Sequence, residues 1–361
     1  MISGIFRTFA ACKTEQMAIL HIFNPEHDIA LAANLGNFTA PHAGRQLRHD
    51  LGYLPAIWAA TGDYVLVEDV EWAQTAFSRL LHRRFDGFVD KHAFARLDID
   101  CVNPWGWDLA LREFIIRYGV EAVPTKEEIA VIRDLSHRKT AVWLLGELKD
   151  DGLLGESWLS ERLEGIGDLL QGHQHLVVKA PWSSSGRGIR FIDGEMNDYQ
   201  VRWIRNVIAR QGCVEIEPYY HKVKDFGMEF ESDGEGCVRY LGLSLFHTQN
   251  GAYTGNILAT EEEKREMISR YLSTDLLDRV QQRICKGLSE RFKGKYCGPF
   301  GIDMMIVASE TGGFLLHPCV EINLRRTMGH VALELARQCT SDQVMRIDFS
   351  DNAYKLKIRR L

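Results

Sequence analysis

Three residues near the end of the chain have oxygen-bearing side chains at a spacing that suits a hard cation. They are Asp303, Glu321 and Asn323, within residues 298–326, GPFGIDMMIVASETGGFLLHPCVEINLRR. GIDMMIV and FLLHPCVEI are rich in β-formers, and Thr311, Gly312 and Gly313 between them form a hairpin signal. If those three residues make the loop, the numbers of opposed residues sum to twice 312, which sets Asp303 against Glu321. Alternation along a strand then puts Asn323 on the face of Glu321. Opposed carboxylates repel unless a cation lies between them. Mg²⁺ takes one or two carboxylates and completes its octahedron with water and phosphate oxygens. Arg325 falls on the same face, where a planar guanidinium can hold a carboxylate or a phosphate. The plain alternative is a solvated strand face with a chance Asp and Glu, and Pro318 implies an edge strand or a bulge that could shift the register.

A second stretch, residues 175–192, HLVVKAPWSSSGRGIRFI, delivers Lys179 on an apolar strand and then loops through Ser183, Ser184, Ser185, Gly186, Arg187 and Gly188 before another strand. Small residues let backbone N–H groups approach phosphates, and Arg187 adds charge. No G-K-[ST] follows, so this is not a Walker loop. A simple hairpin turn is the plain alternative, but three consecutive serines exceed what a tight turn needs.

With the E-I-N-L-R spelling at 321–325, these stretches resemble the ATP-grasp superfamily, whose nucleotide site ends in an Asp on one strand and a Glu-x-Asn on the next. The resemblance covers about residues 123–338. It implies that Lys139, early in a helix after a V-P-T entry, reaches the nucleotide phosphates, that Lys179 and the Ser/Gly loop form the phosphate lid, and that Glu217 faces the adenine. It further implies that the backbone of Pro218, Tyr219 and Tyr220 bonds the adenine edge, that Asp225 holds the ribose, and that Asp303, Glu321 and Asn323 hold Mg²⁺ or Mn²⁺. Arg325, Lys179 and Arg187 would then act on the transferred phosphoryl group, which needs positioning and charge neutralisation more than covalent chemistry. The implied activity is ADP-forming ligation. ATP phosphorylates a small-molecule carboxylate, and an amine, a thiol or a short peptide attacks the acyl phosphate. A small-molecule kinase on the same fold is the alternative. A nucleotide-binding module without catalysis is disfavoured, because it would not need mutually repelling carboxylates.

The elements that must position these residues are legible in outline. AILHIFNP, residues 18–25, reads as a buried strand ending at Asn-Pro, followed by a polar cluster of Asn24, Glu26, His27 and Asp28. Ligands of open α/β sheets bind beyond the carboxyl ends of strands, so the cluster is a substrate-site candidate; an acidic helix start is the alternative. Helical spacing over 42–51, strands at 62–67 and 98–103, and a helix over 108–118 complete a small parallel α/β lobe without a GxGxxG fingerprint. Thr125 caps a helix with Glu127 and Glu128 in its first turn. Leu276, Leu277, Val280, Ile284, Leu288 and Phe292 mark a long amphipathic helix expected to lie beneath the hairpin. The expected architecture is therefore α/β: a disordered extension (1–16), an N-terminal pre-grasp lobe (17–122), a small lid subdomain (123–212), a large subdomain with the MgATP site (213–340), and a solvated basic tail (341–361) containing KLKIRR. Loops at 24–38, 103–108 and 247–256 would select the substrates.

Bulk composition sets outer limits. At 361 residues the chain exceeds one ordinary core. A net charge of −6 carries no footprint for nucleic acid, and no window has the apolar length of a membrane span. Eight cysteines without C-x-x-C spacing read as reduced thiols in a cytoplasmic protein. Oligomeric state is not readable from the sequence.

Overall fold

The computed structural model describes residues 18–183, 188–249, 252–338 and 343–360. The first lobe is a parallel sheet of β1 (Ile19–Ile22), β2 (Tyr64–Leu66), β3 (Phe88–Val89) and β4 (Cys101–Pro104), ordered β3-β2-β1-β4. The chain steps outward from β1 to β3 and then crosses to the other side of β1. The boundary between β1 and β4 is thus the topological switch point, where open α/β sheets hold ligands. Asp108 caps the helix Leu109–Arg117 by accepting the Leu111 N–H.

A capping box of Thr125 and Glu128 starts the helix Lys126–Leu135, and the helix Lys139–Glu147 follows. The lid sheet contains β5 (Trp158–Ser160), β6 (His175–Lys179), β7 (Ile189–Asp193) and β8 (Val214–Pro218), ordered β5-β8-β6-β7. One face buries Leu176, Val178, Ile192, Val214 and Ile216 against the helices Leu163–Leu170 and Asp198–Gln211.

The large subdomain adds β9 (Lys222–Ser232), β10 (Val238–Ser244), β11 (Phe246–Gln249), β12 (Ala252–Leu258), β13 (Gly298–Ala308), β14 (Phe314–Asn323), β15 (Gln343–Ser350) and β16 (Ala353–Arg360). They form two antiparallel sheets, β10-β9-β13-β14 and β11-β12-β15-β16. The long helix is Thr274–Phe292, and it buries all six expected apolar residues in the main core. It packs against β9 and β10, so it supports the hairpin's sheet from the neighbouring strands.

Two expectations are corrected here. The basic tail is not a solvated terminus: its alternation puts Leu356 in the core while Lys357 and Arg359 pair with Asp348 across the β15–β16 hairpin. Cys213, Cys237, Cys285 and Cys319 are free, but Cys101 is disulfide-bonded, a pairing that scattered cysteine spacing does not reveal.

Candidate nucleotide and metal site

The hairpin opposes Asp303 to Glu321 and Gly301 to Asn323, which brings the three oxygen side chains together. The path to that register is indirect. The connection spans residues 309–313, and Ala308 faces Phe314, so the tip is centred on 311. A bulge between Asp303 and Met305 then shifts the pairing, restoring the opposition deeper in the ladder. Gly312 and Gly313 make the turn with φ of 94° and 80°, a region L side chains avoid.

Asn323 Nδ2 donates to Asp303 Oδ2 at 3.2 Å. Burial, and secondly the Glu321 carboxylate, push the Asp303 pKa up to about 7. Among the described residues no cationic side chain pairs with Asp303. No group of three or more His, Cys, Asp or Glu side chains placed to hold a metal ion occurs among them either. Two carboxylates and an amide, one carboxylate being uncompensated, fit a hard divalent cation that brings further oxygen ligands with it.

A second charged cluster lies on the lid side. Register places His175, Val177 and Lys179 of β6, Ile189 and Phe191 of β7, and Glu215 and Glu217 of β8 on the sheet face opposite the lid core. This face looks toward the large subdomain, since Lys179 Nζ reaches the Val320 carbonyl at 3.4 Å. Lys179 also pairs with Glu217 at 2.6 Å and lies 3.8 Å from Glu215. Glu217 Oε1 is buried without a hydrogen-bond partner.

Arg138 completes the cluster and was missed from sequence. Its Nε donates to the Ala180 carbonyl at 3.0 Å, Nη1 to Glu215 at 3.3 Å and Nη2 to Glu321 at 2.8 Å, so one guanidinium ties the lid to the β13–β14 hairpin. Lys139 does not join it. Its ammonium points outward and pairs with Asp134. Consecutive residues at a helix start lie about 100° apart around the axis, so only one of the two can face the cleft. The adjacent basic pair was the only sequence signal.

The remaining candidates lie around the lid sheet and at the start of β9. Phe191 on the lid face is 61% exposed and Tyr219 48% exposed, their rings 6.0 Å apart. The Tyr219 N–H is taken by the His175 carbonyl, and the Tyr220 hydroxyl accepts from the Glu156 N–H. Pro218 ends β8 opposite Leu176. Asp225 pairs with Lys222 at 2.6 Å. Ser183 sits against Gly188, where an added Cβ would lie 2.4 Å from its hydroxyl oxygen. Ser184, Ser185, Gly186 and Arg187 lie outside the described residues.

The polar cluster after β1 also reaches the site. Asp28 receives Arg325 Nε at 3.0 Å and Nη2 at 2.7 Å, and Arg325 Nη2 also donates to Asn323 at 3.0 Å. Burial alone would raise the Asp28 pKa, but Arg325 holds this carboxyl well below the usual range. The cluster is also an acidic helix start, since the helix His27–Ala33 begins there with Asp28 in its first turn, but Glu26 at the N-cap makes no side-chain capping bond and pairs with Arg48. Glu229, a further carboxyl missed from sequence, is buried on β9 beside Thr327 and His330, and burial raises its pKa to about 8. It occupies space that only glycine at 329 leaves open, since a Cβ there would fall 1.8 Å from Glu229 Oε1.

At the level of sequence, no family model and no curated protein matches the chain. Solved structures do match in fold. Biotin carboxylase from Campylobacter jejuni, in a β,γ-ATP complex, superposes with a TM-score of 0.53 at 12% identity over 92% of this chain and 76% of that one. N5-carboxyaminoimidazole synthetase from Staphylococcus aureus, complexed with ADP, gives a TM-score of 0.50 at 12% identity over 94% and 84%. The carboxyaminoimidazole ribonucleotide synthase of Aspergillus clavatus, complexed with ATP, gives 0.51 at 13% identity over 92% and 82%. The chain has the ATP-grasp fold, with a parallel α/β lobe preceding it.

Proposed function

We propose that the protein is an ADP-forming ligase that uses MgATP to activate a small-molecule carboxylate as an acyl phosphate and transfers the acyl group to an amine. The observation that carries this reading is the Asp303–Glu321–Asn323 set, in which a buried carboxyl has no ion-pair partner among the described residues and stands against a second carboxylate and an amide. A bound Mg²⁺ or Mn²⁺ would supply charge neutralisation for the phosphate oxygens.

The chain's own residues have separable tasks. Phe191 and Tyr219 offer exposed apolar surface on the lid face, suited to covering a purine. Lys179, held by Glu217, and Arg138, held by Glu215 and Glu321, place two buried cations between that surface and the hairpin. Arg325, oriented by Asp28, aims a guanidinium alongside Asn323, where an anionic substrate group would lie. The amine must lose a proton as it attacks, and Glu229, whose pKa lies near neutrality, is the buried carboxyl nearest in character to that task.

Hydroxylamine trapping tests the ligase reading against the kinase one. Incubation with MgATP, candidate carboxylates and hydroxylamine should give a hydroxamate and stoichiometric ADP. ADP formation with a stable phosphate ester and no hydroxamate would assign the kinase chemistry.

A further inference from the structure

The residue after Arg325 turns to the opposite side of the chain and meets a set of polar atoms that the nucleotide chemistry does not use. The Arg326 N–H donates to the Trp105 carbonyl, which anchors this segment at the carboxyl end of β4. The Arg326 guanidinium carbon lies 4.6 Å from the centre of the Trp58 ring. The acids nearest in charge, Glu231 and Glu334, are engaged elsewhere, by Arg239 at 2.5 Å and Arg337 at 2.7 Å. Among the described residues Arg326 has no ion-pair partner, and its Nε is buried without a hydrogen bond.

Three further buried atoms share that condition: Trp58 Nε1, on the ring that Arg326 covers, and His21 Nδ1 and Asn103 Oδ1. His21 and Asn103 are paired partners on β1 and β4, so their side chains leave the same face at the switch point of the parallel sheet. Arg326 is close enough to His21 to act on its charge. Their donor and acceptor roles follow from their other bonds. His21 Nε2 faces the Asp63 carboxylate at 3.0 Å and must carry the proton. Asp63 also accepts the Ala60 N–H, so it stays ionised. Burial keeps the imidazole neutral, which leaves Nδ1 as a lone pair. Two acceptors, His21 Nδ1 and Asn103 Oδ1, therefore stand beside two donors, Trp58 Nε1–H and Arg326 Nε–H, one of which is cationic.

Buried polar groups are almost always satisfied, so these four orphans point to partners from outside the chain, either ordered water or a molecule with complementary groups. We propose that His21, Trp58, Asn103 and Arg326 form the recognition site for a free amino acid, its carboxylate on Arg326 and Trp58 and its amino group on His21 and Asn103. Its role as a second-substrate site rests on the ligase reading, since Arg325 and Arg326 are adjacent and link it to the metal hairpin.

The test is binding of the common L-amino acids, each added singly to the intact protein with and without MgATP, read by thermal shift and calorimetry. At least one should raise the melting temperature, and its amide and N-acetyl derivatives should not. Arg326→Gln should weaken its binding at least about tenfold, the scale of one lost charged hydrogen bond, while keeping the shift with MgATP. Asn103→Leu, which removes an acceptor at nearly constant volume, should do the same and decides the matter if Arg326→Gln fails to fold. No response to any amino acid, or undiminished binding by both variants, overturns the site. A wild-type protein that responds to an amino acid but not to MgATP keeps the site and loses the ligase reading; the reverse response loses the site alone.

Discussion

Two acidic clusters, bridged by Arg138, solve the same electrostatic problem differently. On the lid side Glu215 and Glu217 are fully buried, but Lys179 and Arg138 lie against them, so their charges are compensated within the chain. On the hairpin side Asp303 and Glu321 are directly opposed; Arg138 bonds Glu321, and among the described residues no cationic side chain pairs with Asp303. Buried charges persist where they are paired, and an unpaired carboxyl instead shifts its pKa and neutralises. The lid cluster is therefore built to hold the protein together without help, and the hairpin cluster to be completed by something brought in. Removing a charge should harm the first and spare the second.

The largest effect is expected from Arg138→Met. It leaves Glu215 and Glu321 without their shared cation and should cost about 3–5 kcal/mol, the range for breaking a buried pair from one side. Chemical denaturation of the ligand-free protein measures it, and a loss under about 1 kcal/mol would mean that the lid cluster does not depend on this guanidinium.

The pH dependence of the metal-free protein comes next. The Asp303 pKa is raised in the folded state, to about 7 from 3.8, so the unfolded chain ionises first. Stability from this group is full below the unfolded value and is lost as pH climbs from about 4 to about 7, by on the order of 4 kcal/mol. Glu229, raised to about 8, pushes in the same direction. The difference between wild type and Asp303→Asn therefore isolates the hairpin, and parallel pH profiles would show that Asp303 is not an uncompensated acid.

A somewhat smaller change separates apo from liganded protein. MgATP at a hundred times its dissociation constant should add about 2.7 kcal/mol, and ATP without metal far less. Asp303→Asn should leave the ligand-free melting temperature equal or higher and lose the MgATP shift, because a hard cation loses an anionic ligand. Glu321→Gln should lose the shift as well, though it also frees Arg138 and lowers the ligand-free melting temperature. Retention of the full MgATP shift in Asp303→Asn would place the cation elsewhere.

The smallest effect is assigned to Lys139→Ala. An exposed ion pair contributes about 0–1 kcal/mol, so its melting temperature and MgATP shift should both stay near wild type. A lost MgATP shift there, with an unchanged fold, would mean that Lys139 swings inward when nucleotide binds and that the comparison drawn from Arg138 is incomplete.

Period and spelling in the chain were enough to recognise the hairpin, the strand carrying Lys179, the long helix Thr274–Phe292 and the capped helix Lys126–Leu135, because alternation, helical spacing and caps are local signals. They also brought Asp303, Glu321 and Asn323 to one face, although by a route that differs from the real one. The loop is centred one residue earlier than the Thr-Gly-Gly reading puts it, and the bulge after Asp303 compensates. A bulge is set by how two strands pack into a sheet, and Pro318 could announce one without giving its size. Whether Arg138 or Lys139 faces the cleft depended on a helix rotation that two adjacent basic residues leave open, and it was settled by Glu215 and Glu321, which come from strands distant in sequence. The bond from Asp28 to Arg325, the burial of Glu229 beside Gly329, and the meeting of His21, Trp58, Asn103 and Arg326 belong to the same class. Each joins residues tens to hundreds of positions apart, and no local preference records such a contact, because it exists only once separate elements have packed.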